Sequence, residues 1–197
     1  MKKTEIITSI IAICAITMRL SLMHTPGLSI LIVLSLSILS CLYMYFGFAF
    51  FNNIPISKIF KKESYKGISA LRIIGAIGAG MALSASAIGI LFKMQSYPGA
   101  DADIAAGLFT CFIVAGISII KFTKIKAPYY GKILKRVLIY GAICLTWFVI
   151  PKTTWIEFKY RDRPAYVRAL ERSWANPNSK ALRDSVEMEW DKATNPK

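Results

Sequence analysis

Histidine occurs once in this chain, at position 24, and acids number 11 against 25 lysines and arginines. One histidine supports neither a zinc site nor a histidine paired with a second catalytic group. Cysteine is sparse as well. Cys14, Cys41, Cys111 and Cys144 lie inside apolar stretches with no CxxC or metal-type spacing, so they read as free thiols in helix packing. No phosphate-cradling loop, nucleophile elbow or pair of carboxylates at a membrane face occurs. These absences leave no basis for a cofactor or a metal, and place an intramembrane enzyme last among the readings.

Charge is missing from whole stretches. Leu28 to Phe51 runs 24 residues without one, where about 20 apolar residues suffice to cross hydrocarbon. Over 197 residues, 55% are hydrophobic, and the mean hydropathy is +0.48. This predicts an all-α polytopic membrane bundle rather than a soluble core. The net charge of +14 does not point to nucleic acid, because the cations gather in interhelical connections as positive-inside topology requires.

In chain order, the first apolar segment runs from about Ile6 to Met23. Lys2 and Lys3 before it imitate a signal peptide, but no small-x-small cleavage site follows, so it reads as an uncleaved helix. Arg19 near its end can snorkel to the headgroups. Pro26-Gly27 reverses the chain, and the second segment runs to Phe51. Asn52 to Arg72 carries Lys58, Lys61, Lys62, Lys66 and Arg72 against Glu63, a cytoplasmic signature; Ile56, Ile59 and Phe60 between lysines fit a short interfacial helix.

The third segment spans Ile73 to Phe92. Gly75, Gly78, Ala79, Ala82, Ser86 and Gly89 fall on one face, and small residues let helices approach closely in lipid. This segment is the expected centre of packing. After Pro98-Gly99 the fourth runs from about Ile104 to Ile120, with a matching stripe of Gly107, Cys111, Ala115 and Ser118. Lys121 to Arg136 is a second basic connection. Val137 to Ile150 is a fifth span if Lys135 and Arg136 snorkel at one end and Trp147 and Trp155 anchor the other.

Lys2, Lys3 and the two basic connections hold 13 of the 25 cations and share one side. The N-terminus is therefore expected in the cytoplasm of an inner membrane, and five spans put the C-terminus outside. The bundle covers residues 1–151, with hairpins at about 6–51 and 73–120 and a fifth span at 137–150. A helical tail follows at 152–197. In it Pro164 suits a helix start, and Tyr166, Leu170 and Trp174 are spaced by four. Asn176-Pro177-Asn178 is a break, Ser179 suits a cap, and Leu182, Val186 and Trp190 repeat the spacing. Two such helices can pair with each other, lie on the membrane or meet a partner.

The order apolar helix, Pro-Gly turn, apolar helix, basic connection occurs twice, at an offset of 72 residues. Phe92, Lys93, Pro98, Gly99 and Ala100 in one turn, and Met23, His24, Pro26 and Gly27 in the other, resemble the membrane hairpin of the GldL/PorL family. That family forms the ring-like inner-membrane subunit of the gliding-motility and type IX secretion motor, with a turn of the form Phe-Lys-x-Met-His-Trp-Pro-Gly-Ala. The resemblance implies hairpin geometry and membership of an envelope complex. It does not carry the motor role. The family's chemistry uses a carboxylate in its second membrane helix, and neither the second nor the fourth segment here has Asp or Glu in its apolar interior.

Lys93, Asp101 and Asp103, with His24 and Arg19 near the same turns, form a candidate polar mouth. It is either an entry site for an ion or substrate, or a set of anchors for helix ends, since Asp101 and Asp103 also suit the N-terminus of the fourth helix. Anchoring is the favoured reading. His24 can titrate near neutral pH as a sensor, but a headgroup-level hydrogen bond to the turn is the plainer role. The basic connections suit anionic lipid headgroups. The whole reads as a non-enzymatic subunit or scaffold of an envelope complex, with a protein partner or a second copy of itself. A small transporter or channel is the alternative.

Overall fold

The structure, a computed structural model, describes residues 1–21 and 27–194, and every regular element among them is helical. Helices α1 (Lys2–Leu20), α2 (Leu28–Phe51), α3 (Ala70–Gln95), α4 (Ala100–Ile125) and α5 (Pro128–Val149) form one compact unit, Met1–Val149. Helices α6 (Lys152–Lys159), α7 (Pro164–Ala175) and α8 (Lys180–Thr194) belong to a second, Ile150–Lys197. Three helices, α2, α3 and α4, are long and apolar enough to cross a membrane, or up to four if α5 and α6 are taken as one broken span. The chain is thus a multi-pass membrane protein by the length and composition of its helices.

The apolar patterns locate the helices and understate their lengths. Helix α2 has the expected bounds, whereas α3 and α4 both begin earlier and end later than their apolar cores. The stretch Lys121 to Arg136, expected as a connection, is almost wholly helical: α4 continues to Ile125, Lys126 turns in a left-handed conformation (φ 52°), and α5 begins at Pro128. Bilayer thickness limits the apolar run, not the helix, and Lys and Arg are good helix formers. The interfacial helix expected around Ile56 to Phe60 is replaced by two 3-10 turns, Ile56–Lys58 and Lys62–Tyr65. Pro55 and the left-handed Asn53 and Gly67 bracket too short a run for a stable helix. Ile54 and Ile59 pack under Ala49 there, while Phe60 is 99% exposed.

Within the first unit α3 is central, touching α2, α4 and α5, and α1 packs on α2. Ser69 caps α3, its hydroxyl accepting from the Arg72 amide. Glycine brings the helices to backbone contact. A Cβ on Gly80 would lie 2.4 Å from the Tyr43 carbonyl oxygen of α2, with Gly47 facing it from α2. A Cβ on Gly107 would lie 2.9 Å from the Ser86 Cα, and one on Gly89 3.0 Å from the Asp103 backbone. The Ser40 and Ser84 hydroxyls meet at 2.7 Å across α2 and α3.

The small face of α3 divides along its length. Ala79, Ala82, Ser86 and Gly89 are buried, whereas Gly78 is only half-buried and Gly75 exposed. Gly80, off that face, makes the tightest approach to α2. Close packing therefore uses two faces of α3, one toward α2 and one toward α4. At the crossing with α4 and α5, the Ser86 hydroxyl lies 3.1 Å from Cys111 Sγ, and Cys144 Sγ donates weakly to the Ser86 carbonyl at 3.9 Å.

The second unit holds three helices where two were expected. Pro164 is the first residue of α7, and the Leu182 amide donates to Ser179 Oγ at the start of α8. The two helices pair with each other. Tyr166 packs at a tilt against Trp190, centroids 5.2 Å apart, Tyr160 meets both rings edge-on, and the Arg163 guanidinium lies over Trp190 at 4.9 Å. Leu170, Trp174, Leu182 and Val186 are half-buried.

Candidate functional site

The polar mouth expected at the second turn is in part assembled. Ser96 (φ 63°) and Gly99 (φ 82°) take left-handed conformations and reverse the chain between α3 and α4. This brings Lys93 of α3 onto Asp101 in the first turn of α4, Nζ donating to Oδ1. Lys93 is buried and Asp101 exposed, so the pair ties the ends of two helices and keeps the ammonium compensated. Asp103 is half-buried in the same turn, and Arg19 is half-buried near the end of α1; among the described residues neither makes an ion pair. His24, Met23 and Pro26 lie outside the described residues. Among the described residues the mouth is therefore a single ion pair, Lys93 with Asp101. It has the geometry of a helix tie.

A second polar cluster lies inside the bundle. Glu5, one turn into α1, is buried. The Arg136 guanidinium of α5 grips its carboxylate through both oxygens, Nε to Oε1 at 2.6 Å and Nη2 to Oε2 at 2.8 Å. The Tyr43 hydroxyl of α2 donates to Oε1 at 2.7 Å. The remaining guanidinium nitrogen donates to the Lys132 carbonyl at 3.2 Å, and the Phe50 ring lies under the cation at 4.9 Å. Tyr140 of α5 packs edge-on to Tyr43 at 5.6 Å. Every charge here is paired and hydrogen-bonded, as burial demands. The sequence alone places Arg136 among the cations of the second basic connection and gives Glu5 no role. No local spacing links them, since 131 residues separate the two.

The cluster closes one end of a cavity of about 370 Å³. Its walls come from α1, α2 and α5, with Ile90 of α3 also lining it, and apart from the Glu5 and Arg136 end they are largely aliphatic. Lys135 stands at the same end as Arg136. A polar recess of about 350 Å³ lies between Asn52 and Ser64, with Lys58, Lys61 and Glu63 at its rim. Among the described residues no three His, Cys, Asp or Glu side chains gather as a metal site would require.

Glu5 lies one turn into α1 and Arg136 two turns into α5. Helix α1 runs antiparallel to α2, since Glu5 meets Tyr43 in the second half of α2, and α5 runs antiparallel to α4, with Gly131 beside Phe122 and Gly141 beside Cys111. Helices α1 and α5 therefore run in the same direction, with Lys2, Lys3, Lys132 and Lys135 within about one turn of the pair. Compared with family models, curated proteins and solved structures, the chain matches none of them.

Proposed function

We propose that the chain is a non-enzymatic subunit or scaffold of an inner-membrane envelope complex. It threads five spans with its N-terminus in the cytoplasm and its tail outside. The observation that carries this reading is the interior of α2, α3 and α4. Gly47 against Gly80 and Ser86 against Gly107 close it to backbone contact, and the polar groups there are spent on bonds such as Ser40 to Ser84. A small transporter or channel needs a polar path at mid-membrane, and this packing weighs against one.

Threading by five spans is supported by direction and length. Alternating helices bring α1 and α5 in parallel, and the Glu5–Arg136 pair joins them. Helix α5 has 22 residues, about 33 Å at 1.5 Å per residue, long enough for a bilayer once Lys132 and Lys135 snorkel and Glu5 neutralises Arg136. The likeness of the turns to GldL/PorL hairpins belongs to the same proposal. Gly27 and Gly99 enter α2 and α4 with nearly the same backbone angles, φ 85° and 82°. The tail folding as a unit of its own suits a module that holds a partner.

The test is purification of the full chain in mild detergent. A partner, or a second copy, should co-purify, and deleting Tyr166 to Trp190 should release it. Recovery of a lone monomer with the tail intact would count against the proposal. Cysteines placed at Lys61 and Asn178 should label from opposite sides of intact cells.

A further inference from the structure

We infer that the groove between α1, α2 and α5 holds one acyl chain of an anionic phospholipid, whose headgroup meets the lysines at the groove's charged end. The walls and the rim ask for different chemistry. Ile13 and Ile16 of α1, Leu36 of α2, and Ile139 and Ile143 of α5 offer an aliphatic slot with no hydrogen-bond partner to give. A lipid tail satisfies such a slot, and water does not.

The rim is cationic after the pair is counted. Arg136 is consumed by Glu5 through both oxygens and by the Lys132 carbonyl. Lys135 lines the groove beside it and is exposed, and among the described residues it has no acidic partner. Lys132 lies one turn before Arg136 on α5, and Lys2 one turn before Glu5 on α1; both are exposed. One uncompensated ammonium group thus lines the charged end of the apolar slot, and two more stand within about one helical turn of the pair that closes it. A phosphate at headgroup level complements them, with its chain running down the slot. A second copy of the protein is a poor occupant, because parallel copies in one bilayer bring the same lysines to the same level.

The experiment reconstitutes the full chain into vesicles of equal parts phosphatidylglycerol and phosphatidylcholine. It is then re-extracted in mild detergent, and retained lipid is counted by native mass spectrometry. The wild type should keep one phosphatidylglycerol, at least about fivefold preferred over phosphatidylcholine. Lys132→Ala and Lys135→Ala should each lower that preference by about fivefold, the effect of one cation near the headgroups. Ile139→Trp, which fills the slot and leaves the charge alone, should abolish retention of either lipid. Lys121→Ala with Lys124→Ala, both exposed and outside the groove's lining, should change neither. Equal retention of the two lipids by the wild type would overturn the inference. So would an unchanged lipid in Ile139→Trp, or a dimer that carries no lipid. If Ile139→Trp fails to fold, the Lys135→Glu variant decides alone. Its side chain is exposed, and an undiminished phosphatidylglycerol preference there refutes the assignment.

Discussion

Glu5 and Arg136 illustrate how a charge survives inside an apolar bundle. Desolvating either alone is costly, and the cost is offset only because both carboxylate oxygens and all three guanidinium nitrogens have partners. Glu5→Ala should therefore cost about 3–5 kcal/mol by stranding the arginine, whereas Glu5→Met with Arg136→Met should cost far less. Thermal unfolding in detergent distinguishes the two, and equal losses would mean that the pair is worth more than its shape. Gly80 makes a different demand. A methyl there meets the Tyr43 carbonyl oxygen at 2.4 Å, an atom of a helix backbone that cannot swing aside. Gly80→Ala should lose about 1–3 kcal/mol by overpacking. Gly78→Ala meets nothing within 4 Å and should gain up to about 1 kcal/mol of helix propensity. The same unfolding measurement reads both.

Helices show what a sequence displays and what it hides. The bounds of α2 are legible because Gly27 and Asn52 flank an unbroken apolar run. Those of α4 and α5 are not, because charged residues continue a helix beyond the hydrocarbon without changing its hydrogen bonding. The small face of α3 can be read from its spacing, and Ala79, Ala82, Ser86 and Gly89 are indeed buried. Gly80, one residue off that face, escapes notice because spacing cannot say that α3 has two neighbours. The Lys93–Asp101 tie is legible because eight residues and a Pro-Gly turn separate the partners. The α7–α8 pairing hangs on Trp190, which touches Tyr160, Tyr166 and Arg163. Trp190→Ala should open that hairpin, seen as faster proteolysis between residues 160 and 190 with the bundle intact. Alkali should act on the same contact. Burial raises the Tyr166 phenol above the ordinary tyrosine range, with Arg163 opposing. The folded tail thus favours the protonated ring. That contribution is whole below the unfolded value of about 10 and fades as pH climbs through the raised one. Near-ultraviolet circular dichroism should show the tail loosening in that range, and Tyr166→Phe should remove the dependence.

At the scale of the whole molecule, the first and fifth helices meet through the Glu5–Arg136 pair, and the order of synthesis gives that meeting a history. A ribosome adds about 5–20 residues per second, and 131 residues separate Glu5 from Arg136. The leading helix therefore reaches the bilayer on the order of ten seconds before its counter-ion exists. Until then its carboxylate, one turn from the start of α1, has the Tyr43 hydroxyl of α2 as its partner. Packing of α1 on α2 can precede this, but the pairing of Glu5 is among the last events of biogenesis, and a nascent chain arrested before Pro128 should leave that carboxylate open to a carboxyl-directed reagent that the finished bundle excludes.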